Sequence, residues 1–239
     1  MTVLDERPST EEPAQHGSGS RRILLLVAAA VVVVGVVAAW LVAFSSVLGV
    51  STVRVQGNHR LSDATIRATA QIEDGTPLVR LDTGAIQRRV TRLVDVASAS
   101  VRVSYPNTVI ITVRERQPVG YLDAGAGYRL VDRSGVPYRE VLDKPRTLPK
   151  LVVPEQTSAA TVAAVAAVAA DLPTSLLHHV RSIQALDPQA ITLVLSKDRV
   201  VRWGSVERSA AKARILPALL RQPGEQFDLT DPGQPVVRN

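Results

Sequence analysis

The chain has 239 residues, contains no cysteine and carries a formal net charge of +6 at pH 7. Its length and its 46% content of hydrophobic residues allow one large or two small folded domains, and they exclude disorder throughout the chain. The lack of cysteine excludes a disulfide framework and a thiolate metal site.

The first 22 residues have the composition of a disordered segment. They include Pro8, Pro13 and the polar run HGSGS, and apolar residues do not recur in them with any regular period. We expect residues 1–22 to form a disordered tail. This segment has three arginines against four acidic residues, so its charge is −1 and the rest of the chain carries +7.

A long uncharged stretch follows the tail and runs from Ile23 to Val50. Its most apolar part ends at Phe44 and would be about 33 Å long as a helix, which is enough to cross a bilayer. We therefore predict a single transmembrane helix over residues 23–48. A cleaved signal peptide is the other interpretation, with small residues available from Ala43 to Ser46, but its apolar region is usually only about 7 to 15 residues long.

The charges beside this stretch predict its orientation. Arg21 and Arg22 precede it, and the next basic residue is Arg54. Basic residues favour the cytoplasmic side, so we expect a single-pass plasma-membrane protein with a cytoplasmic amino terminus. The basic remainder would lie outside, where nucleic acid is an unsuitable partner. Its charge indicates either contact with anionic lipid headgroups or wall polymers, or a solvated surface without a partner.

The first elements after the uncharged stretch are a short strand and two helices. Val53, Arg54 and Val55 alternate with the period of a half-buried strand, which we expect to lie close to the membrane. A Gly-Asn turn follows, and Ser62 is a suitable cap for the next helix. A second helix is predicted from Asp82. The interior positions predicted for the two helices are Ile66, Ala70, Ile86, Val90, Leu93 and Val94, with Arg88, Arg89 and Arg92 turned outward.

A β-hairpin and a second group of strands follow. The segment VASASVRVSYPNTVIITVRERQPV alternates on both sides of Tyr105–Thr108, which predicts two strands and a turn. Strands are then predicted in Tyr128–Tyr138 and in RTLPKLVVP, VRSIQAL and AITLVLSKDRVVRWG, the last with a turn at Lys197-Asp198. Helices are predicted over Thr157–Leu172 and around Leu176–His179, and also in ERSAAKARILPALLRQ, with Ala211, Ile215, Leu219 and Leu220 buried.

The last residues form two short extended pieces separated by Asp231-Pro232-Gly233. A strand at a sheet edge offers unpaired amides and carbonyls, so another chain can add a strand there. The alternative is a protected edge, blunted by Pro235 and Arg238. The two extended pieces are Gln226–Leu229 and Pro235–Arg238.

Residues suited to catalysis or metal binding are scarce. The four histidines lack the i, i+4 spacing of a metal-ligand pair, and neither a nucleophile elbow nor a phosphate-binding loop is present. Asp123, Asp132 and Asp143 could imitate the paired carboxylates of a glycan hydrolase, but their positions suit turns better. We expect no enzymatic activity, no cofactor and no small-molecule substrate.

Four segments together resemble one known family. VRVQGNHRLSDATI, DGTPLVRLD, VASASVRVSYPNTVIITVRERQPVGYL and LVDRSGVPY are similar to the POTRA domain and the following β domain of the FtsQ/DivIB cell-division proteins. The resemblance covers about residues 50–239. It implies an α+β fold, in which the transmembrane helix precedes a POTRA domain of order β-α-α-β-β over 50–117. A mixed β domain with packing helices would occupy 118–239.

The resemblance also implies a function and partners. Proteins of this family are non-enzymatic scaffolds of the bacterial divisome, and they recruit and link division proteins at the septum. The implied partners are single-span proteins like FtsB/DivIC and FtsL, the first of which would bind the end of the β domain. The candidate partner-binding residues that the resemblance implies there are Phe227, Asp228, Leu229, Val236, Val237 and Arg238. An alternative is a membrane-anchored protein that binds or modifies the cell wall. A POTRA-bearing transporter and a signal receptor fit less well, because the exported part is too short and the cytoplasmic tail is too small.

Overall fold

The computed structural model describes residues 18–44 and 49–238 of the chain. Helix α1, Ser18–Phe44, contains most of the uncharged stretch, and its apolar side chains from Ile23 to Val37 are exposed. No helix in these two ranges is both long and apolar enough to cross a membrane. The span predicted over residues 23–48 stays a prediction. Residues 1–17 of the predicted tail lie outside the described residues. Residues 18–22 belong to α1, which begins at Ser18.

The predicted order of strand, two helices and two strands is confirmed. These elements are β1 (Thr52–Gln56), α2 (Asp63–Ala70), α3 (Thr83–Thr91), β2 (Val96–Ser104) and β3 (Thr108–Glu115). The three strands form one sheet in the order β1-β3-β2. Along β3 the side chains of Val109, Ile111 and Val113 are buried, while those of the intervening residues are more accessible. One face of this sheet therefore faces a small core.

Local sequence explains helix α2. Ser62 has an extended backbone, and its hydroxyl accepts a hydrogen bond from the Thr65 amide at 3.1 Å, which is the arrangement of an N-cap. The helix ends at Gln71, whose φ is 49°. Ile66 and Ala70 are buried, as predicted.

Helix α3 differs from the prediction in two respects. It ends at Thr91, so Leu93 and Val94 lie beyond it, and Val94 is exposed. Arg89 does not point outward. Its guanidinium donates to the Ala70 carbonyl at 2.6 and 3.1 Å, because the carboxyl end of α2 has unpaired carbonyls that attract a cation.

The remaining strands form one nine-stranded mixed sheet. In chain order they are β4 (Pro118–Asp123), β5 (Tyr128–Asp132), β6 (Pro137–Val141), β7 (Lys150–Val152), β8 (Val180–Ala185), β9 (Ile191–Leu195), β10 (Val200–Gly204), β11 (Gln226–Asp228) and β12 (Val236–Arg238). Their order in the sheet is β12-β11-β10-β9-β8-β7-β4-β5-β6. The sheet therefore has β12 at one edge and β6 at the other. The predicted turn at Lys197-Asp198 is confirmed, and both residues have positive φ.

Three helices accompany the sheet, namely α4 (Ala159–Asp171), α5 (Thr174–Leu177) and α6 (Ser209–Leu219). The Ala/Val-rich α4 is capped by Ser158 and contacts β4, β7 and β8. Its small side chains allow close approach. A side chain at Gly135 would place its Cβ 2.4 Å from the Ala163 Cα atom. The φ of 79° at Gly135 also favours glycine.

Helix α6 buries a different face from the predicted one. The buried residues are Ser209, Lys212, Ala213, Leu216 and Leu219. Of the four residues predicted to be interior, Leu219 is buried, whereas Ala211, Ile215 and Leu220 are only half-buried. The buried face differs from the predicted one because Lys212 lies in the interior. A prediction from the spacing of apolar residues places a charged residue such as lysine on the exposed face.

The chain divides into two compact units that differ from the two sheets. The first gathers the described residues up to Val53 with Ile72–Asp82 and Val103–Val109. In it the Val50 amide donates to the Thr76 carbonyl at 2.9 Å, and the Ser51 amide to the Asn107 carbonyl at 2.9 Å. The second unit comprises Arg54–Gln71, Thr83–Arg102 and 110–239, and it contains the whole nine-stranded sheet.

Candidate partner-binding edge

The predicted carboxyl-terminal residues lie together on strands β11 and β12. Strand β11 runs parallel to β10, with Phe227 opposite Val201. Strand β12 runs antiparallel to β11, with Val237 opposite Phe227. Two further hydrogen bonds fix β11, from the Val200 amide to the Glu225 carbonyl and from the Leu229 amide to the Arg202 carbonyl, both at 2.8 Å.

The structure separates the six predicted residues into two groups. Phe227 and Leu229 are core residues with 1% and 0% exposure, and β11 has a strand on each side. The interpretation of β11 as part of an open edge is therefore wrong, because its backbone already pairs with β10 and β12. Within the described part of the nine-stranded sheet, the accessible edge at this end is β12 alone, and Val236 and Arg238 are exposed on it.

Strand register places two rows of side chains across the sheet. The row at Leu151, Ile183, Leu193, Val201 and Phe227 is buried and ends at the half-buried Val237. The neighbouring row is accessible and consists of Val152, Gln184, Thr192, Arg202, Asp228 and Val236. The edge strand thus has Val237 on the core face of the sheet and Val236 on the open face.

The open face beside the edge forms a groove of about 730 Å³. Gln184, Thr192 and Arg202 line it together with Thr230, which follows β11. Our interpretation of the sequence did not include these residues in the site. The alternation of apolar and polar residues in AITLVL and VVRWG could have identified Thr192 and Arg202, because each lies between two buried apolar residues of its own strand.

The charge of Asp228 is maintained by its neighbours. Burial disfavours the carboxylate, but hydrogen bonds from Thr230 and the charges of Arg202 and Arg238 outweigh that effect and hold the pKa of Asp228 below its usual value. The Thr230 amide donates to the Asp228 Oδ1 atom at 3.0 Å. Asp228 therefore stays ionised and fixes the start of the turn that leads to β12.

A buried lysine supports the end of β10. Lys212 is 1% exposed, and its Nζ atom donates to the carbonyls of Trp203 at 2.7 Å and of Ser205 at 3.0 Å. Burial lowers the pKa of Lys212. Trp203 is completely buried, and its Nε1 atom donates to the Ser209 hydroxyl at 2.8 Å. Trp203 is thus a packing residue.

The predicted membrane-proximal strand lies in the other sheet. Val53 and Val55 are half-buried on β1, and Arg54 between them is exposed. Strand β1 is an edge of the three-stranded sheet, whereas β12 is an edge of the nine-stranded sheet.

Asp132 is a turn residue, as its position predicts. Its Oδ1 atom accepts hydrogen bonds from the Ser134 amide, the Ser134 hydroxyl and the Val136 amide at 2.8–3.0 Å. Arg116 pairs with its other oxygen atom. The described residues contain no group of three or more side chains that could hold a metal ion.

Comparison with known proteins identifies two family domains in the chain. Residues 48–116 match the model of the FtsQ-type POTRA domain, and residues 120–231 match that of the carboxyl-terminal domain of cell division protein FtsQ/DivIB. The chain is similar to cell division protein FtsQ of Streptomyces griseus, with 34% identity over 204 residues that cover 81% of this chain and 98% of that protein.

Two mycobacterial relatives are longer than this chain. Cell division protein FtsQ of Mycobacteroides abscessus is 34% identical, with 83% of this chain and 64% of that protein covered. The protein of the same name from Mycolicibacterium smegmatis is 36% identical, with 85% of this chain and 61% of that protein covered. The chain thus spans less than two thirds of the length of these two relatives. A solved DivIB extracytoplasmic domain from Geobacillus stearothermophilus gives a TM-score of 0.36 at 17% identity, covering 44% of this chain and 91% of that one.

Proposed function

Because the chain belongs to the FtsQ/DivIB family of cell-division proteins, we propose that it is a non-enzymatic scaffold of the bacterial divisome. In this role it recruits other division proteins and links them at the septum. The names of its relatives support a role in cell division, and the edge strand β12 supports strand addition as the way in which the chain binds its partners.

The observation that carries the proposal is the position of β12 in its sheet. It pairs with β11 on one side, and no described strand lies on its other side. A partner that adds an antiparallel or parallel strand would satisfy the free backbone groups of β12. The register of β12 would then align the partner's alternate side chains with Val237 on the core face and with Val236 on the open face.

The partner that suits this edge is a short extended segment of another division protein. Apolar side chains on one face of the segment would continue the buried row beyond Val237. Side chains on the other face would lie beside Val236 in the open row, which continues inward through Asp228 to Arg202. Single-span proteins like FtsB/DivIC and FtsL are the partners that we propose. Among the six residues predicted from the sequence, the direct contacts belong to Val236, Val237 and Arg238, while Phe227, Asp228 and Leu229 position the edge.

A membrane anchor is the second part of the proposal. Helix α1 carries an uncharged sequence from Ile23 onward, and its described apolar side chains have 49–70% exposure. A lipid environment would cover these side chains. Arg21 and Arg22 support a cytoplasmic amino terminus. Confinement to the membrane raises the effective concentration of two anchored partners, so a weak strand contact suffices for assembly.

In vivo photocrosslinking tests the edge directly. A photoreactive amino acid is placed singly at Val236 and at Arg238, and the captured proteins are identified by mass spectrometry. The matched controls are Ala68 on α2 and Ala210 on α6, which are equally exposed but lie on helices. We expect both edge positions to capture a small single-span division protein and both controls to capture none.

Two outcomes would contradict the proposal. Equal capture at the edge and at the helical controls would show that the contact is not specific to β12. Normal septa in cells depleted of the protein would remove the scaffold role, whatever the edge binds.

A further inference from the structure

The three-stranded sheet has one open face that is basic. This face is opposite the buried side chains of Val109, Ile111 and Val113 on β3. Within the second compact unit, its residues are Arg54 and Gln56 on β1, Ser98, Ser100 and Arg102 on β2, and Ile110, Thr112 and Arg114 on β3. Three of these eight residues are arginines and none is acidic, so the face presents a net positive charge.

The three arginines are available to an external ligand. Arg54, Arg102 and Arg114 are all exposed. In the part of the chain that the structure describes, none of their side chains forms an ion pair or a hydrogen bond. By contrast, Arg67 on α2 pairs with Asp63 at 3.2 Å, so the helical side of the same domain has mixed charges.

The open face is also shaped to accept a polar headgroup. A cavity of about 920 Å³ is lined by Ser98, Ser100, Thr112 and Arg114. Arg60 and Glu115 also line it, and the Glu115 carboxylate already accepts hydrogen bonds from the amides of His59, Arg60 and Leu61. Hydroxyl groups and a guanidinium are suitable donors to the oxygen atoms of a phosphate.

A short tether keeps this face near the bilayer. Arg54 follows Phe44, the last residue of α1, by ten residues. An extended chain covers at most about 3.5 Å per residue, so Arg54 stays within roughly 35 Å of the end of that helix. Anionic lipids attract juxtamembrane basic residues, and each residue contributes a factor of about five in binding.

From these observations we propose that the face formed by Arg54, Arg102 and Arg114 docks on the headgroups of anionic phospholipids, and so holds the three-stranded sheet against the outer leaflet. The proposal rests on the membrane anchor proposed above. Of the anionic surfaces available outside the cell membrane, the bilayer is the one that the tether keeps within reach. Wall polymers, which carry the same phosphate chemistry, are an outcome of the test.

The test uses the full chain reconstituted into vesicles, and the natural lack of cysteine allows single labels. A fluorophore is attached to Thr112→Cys on the open face or, as a control, to Ala68→Cys on α2. Lipids with a spin-labelled headgroup quench a fluorophore that lies at the membrane surface. Vesicles contain phosphatidylcholine alone or with phosphatidylglycerol. We expect strong quenching at position 112 only with phosphatidylglycerol, reversal of that quenching by high salt, and little change at position 68.

Charge reversal identifies the residues. The triple variant R54E/R102E/R114E is expected to lower the ratio of docked to undocked protein by at least roughly 100-fold. The loss of three arginines alone gives the product of three factors of about five, and the glutamates add repulsion. The control R92E/R146E/R221E changes the net charge equally at exposed arginines elsewhere, and we expect it to shift the ratio no more than about twofold.

Each result that differs from these expectations has its own interpretation. Equal quenching with and without phosphatidylglycerol overturns the lipid proposal, as does a triple variant that behaves like its control. Quenching relieved by soluble poly(glycerol phosphate), without any dependence on anionic lipid, would assign the face to a wall polymer. Extraction of the chain from the vesicles at alkaline pH would instead contradict the membrane anchor.

Discussion

The guanidinium carbon of Arg199 lies 4.6 Å from the centre of the Phe227 ring. The Nη2 atom of the same arginine donates to the Leu220 carbonyl at 2.8 Å. Arg199 therefore connects three consecutive parts of the chain, namely the start of β10, the end of α6 and strand β11. This side chain thus adds to the backbone pairing that holds β11 beside the edge strand β12.

Replacing Arg199 tests that connection. We expect Arg199→Ala to lower the free energy of unfolding by about 2 kcal/mol, because it removes a cation–π contact and a charged hydrogen bond. Arg202→Ala, at an exposed residue of the same strand, is expected to change it by less than about 0.5 kcal/mol. Urea unfolding followed by the fluorescence of the buried Trp203 gives both values. Equal losses in the two variants would contradict the assigned role.

Glu115 predicts a dependence of stability on pH. Its carboxylate is buried and accepts hydrogen bonds from the amides of His59, Arg60 and Leu61 at 2.8–3.0 Å. Burial raises the pKa of Glu115, but these three amides and the Arg60 charge outweigh it and leave the pKa below the usual 4.5. The stabilisation is thus fully present above pH 4.5 and is lost as the pH falls below that value.

Glu115→Gln isolates this contribution. We expect the variant to lose about 1 to 3 kcal/mol at neutral pH and to have a weaker acid dependence than the unchanged chain. Glu140→Gln serves as the control, since Glu140 is exposed and pairs with Arg129 at 2.6 Å at the surface. Unfolding curves measured from neutral pH to below pH 4 give the free energy of unfolding of both variants and of the unchanged chain. An unchanged acid dependence in Glu115→Gln would rule out the carboxylate as the cause.

Two glycines separate steric contact from backbone conformation. Gly135 and Gly125 have nearly the same φ, 79° and 78°, but only Gly135 has neighbours where a Cβ would lie. We expect Gly125→Ala to cost about 1 kcal/mol through its left-handed backbone. Gly135→Ala should cost about 3 kcal/mol, because its Cβ also collides with Ala163 on α4. Thermal unfolding of both variants gives the difference, and equal losses would show that α4 does not press on this turn.

We expect Lys212 to stabilise both β10 and α6. Lys212→Ala leaves the carbonyls of Trp203 and Ser205 without their donor and opens a cavity, so we expect a loss of about 3 kcal/mol. Arg214→Ala, on the exposed side of the same helix, should have an effect below about 0.5 kcal/mol. Denaturant titration of both variants makes the comparison. A small loss in Lys212→Ala would mean that water replaces the ammonium group.

The sequence predicts the features of this fold that depend on neighbouring residues. The Ser62 cap, the alternation along β3 and the turn at Lys197-Asp198 arise from local chemistry, and all three are confirmed. The order of strand, two helices and two strands also follows from local patterns, and the family resemblance grouped these elements into a POTRA domain. These features share one property, since each depends on residues only a few positions apart.

Features that depend on distant residues were not predictable in this way. Phe227 is buried because β11 pairs in parallel with β10, although α6 separates these two strands in the chain. A sequence of three extended residues does not reveal which strand it pairs with. Arg89 caps α2 from a different helix. Lys212 occupies an interior position because two carbonyls surround it there, and a charged residue gives no hydrophobic signal.

The two edges of the nine-stranded sheet have different chemistry, and the difference bears on how many partner strands one chain is expected to bind. Strand β6 begins with Pro137, and its Arg139 is tied to Asp95 at 2.5 Å while Glu140 pairs with Arg129. Such an edge resists the addition of a further strand. A partner strand that adds at β12, as proposed above, would meet one accessible edge of this sheet in each chain, so we expect one partner strand to bind each chain there.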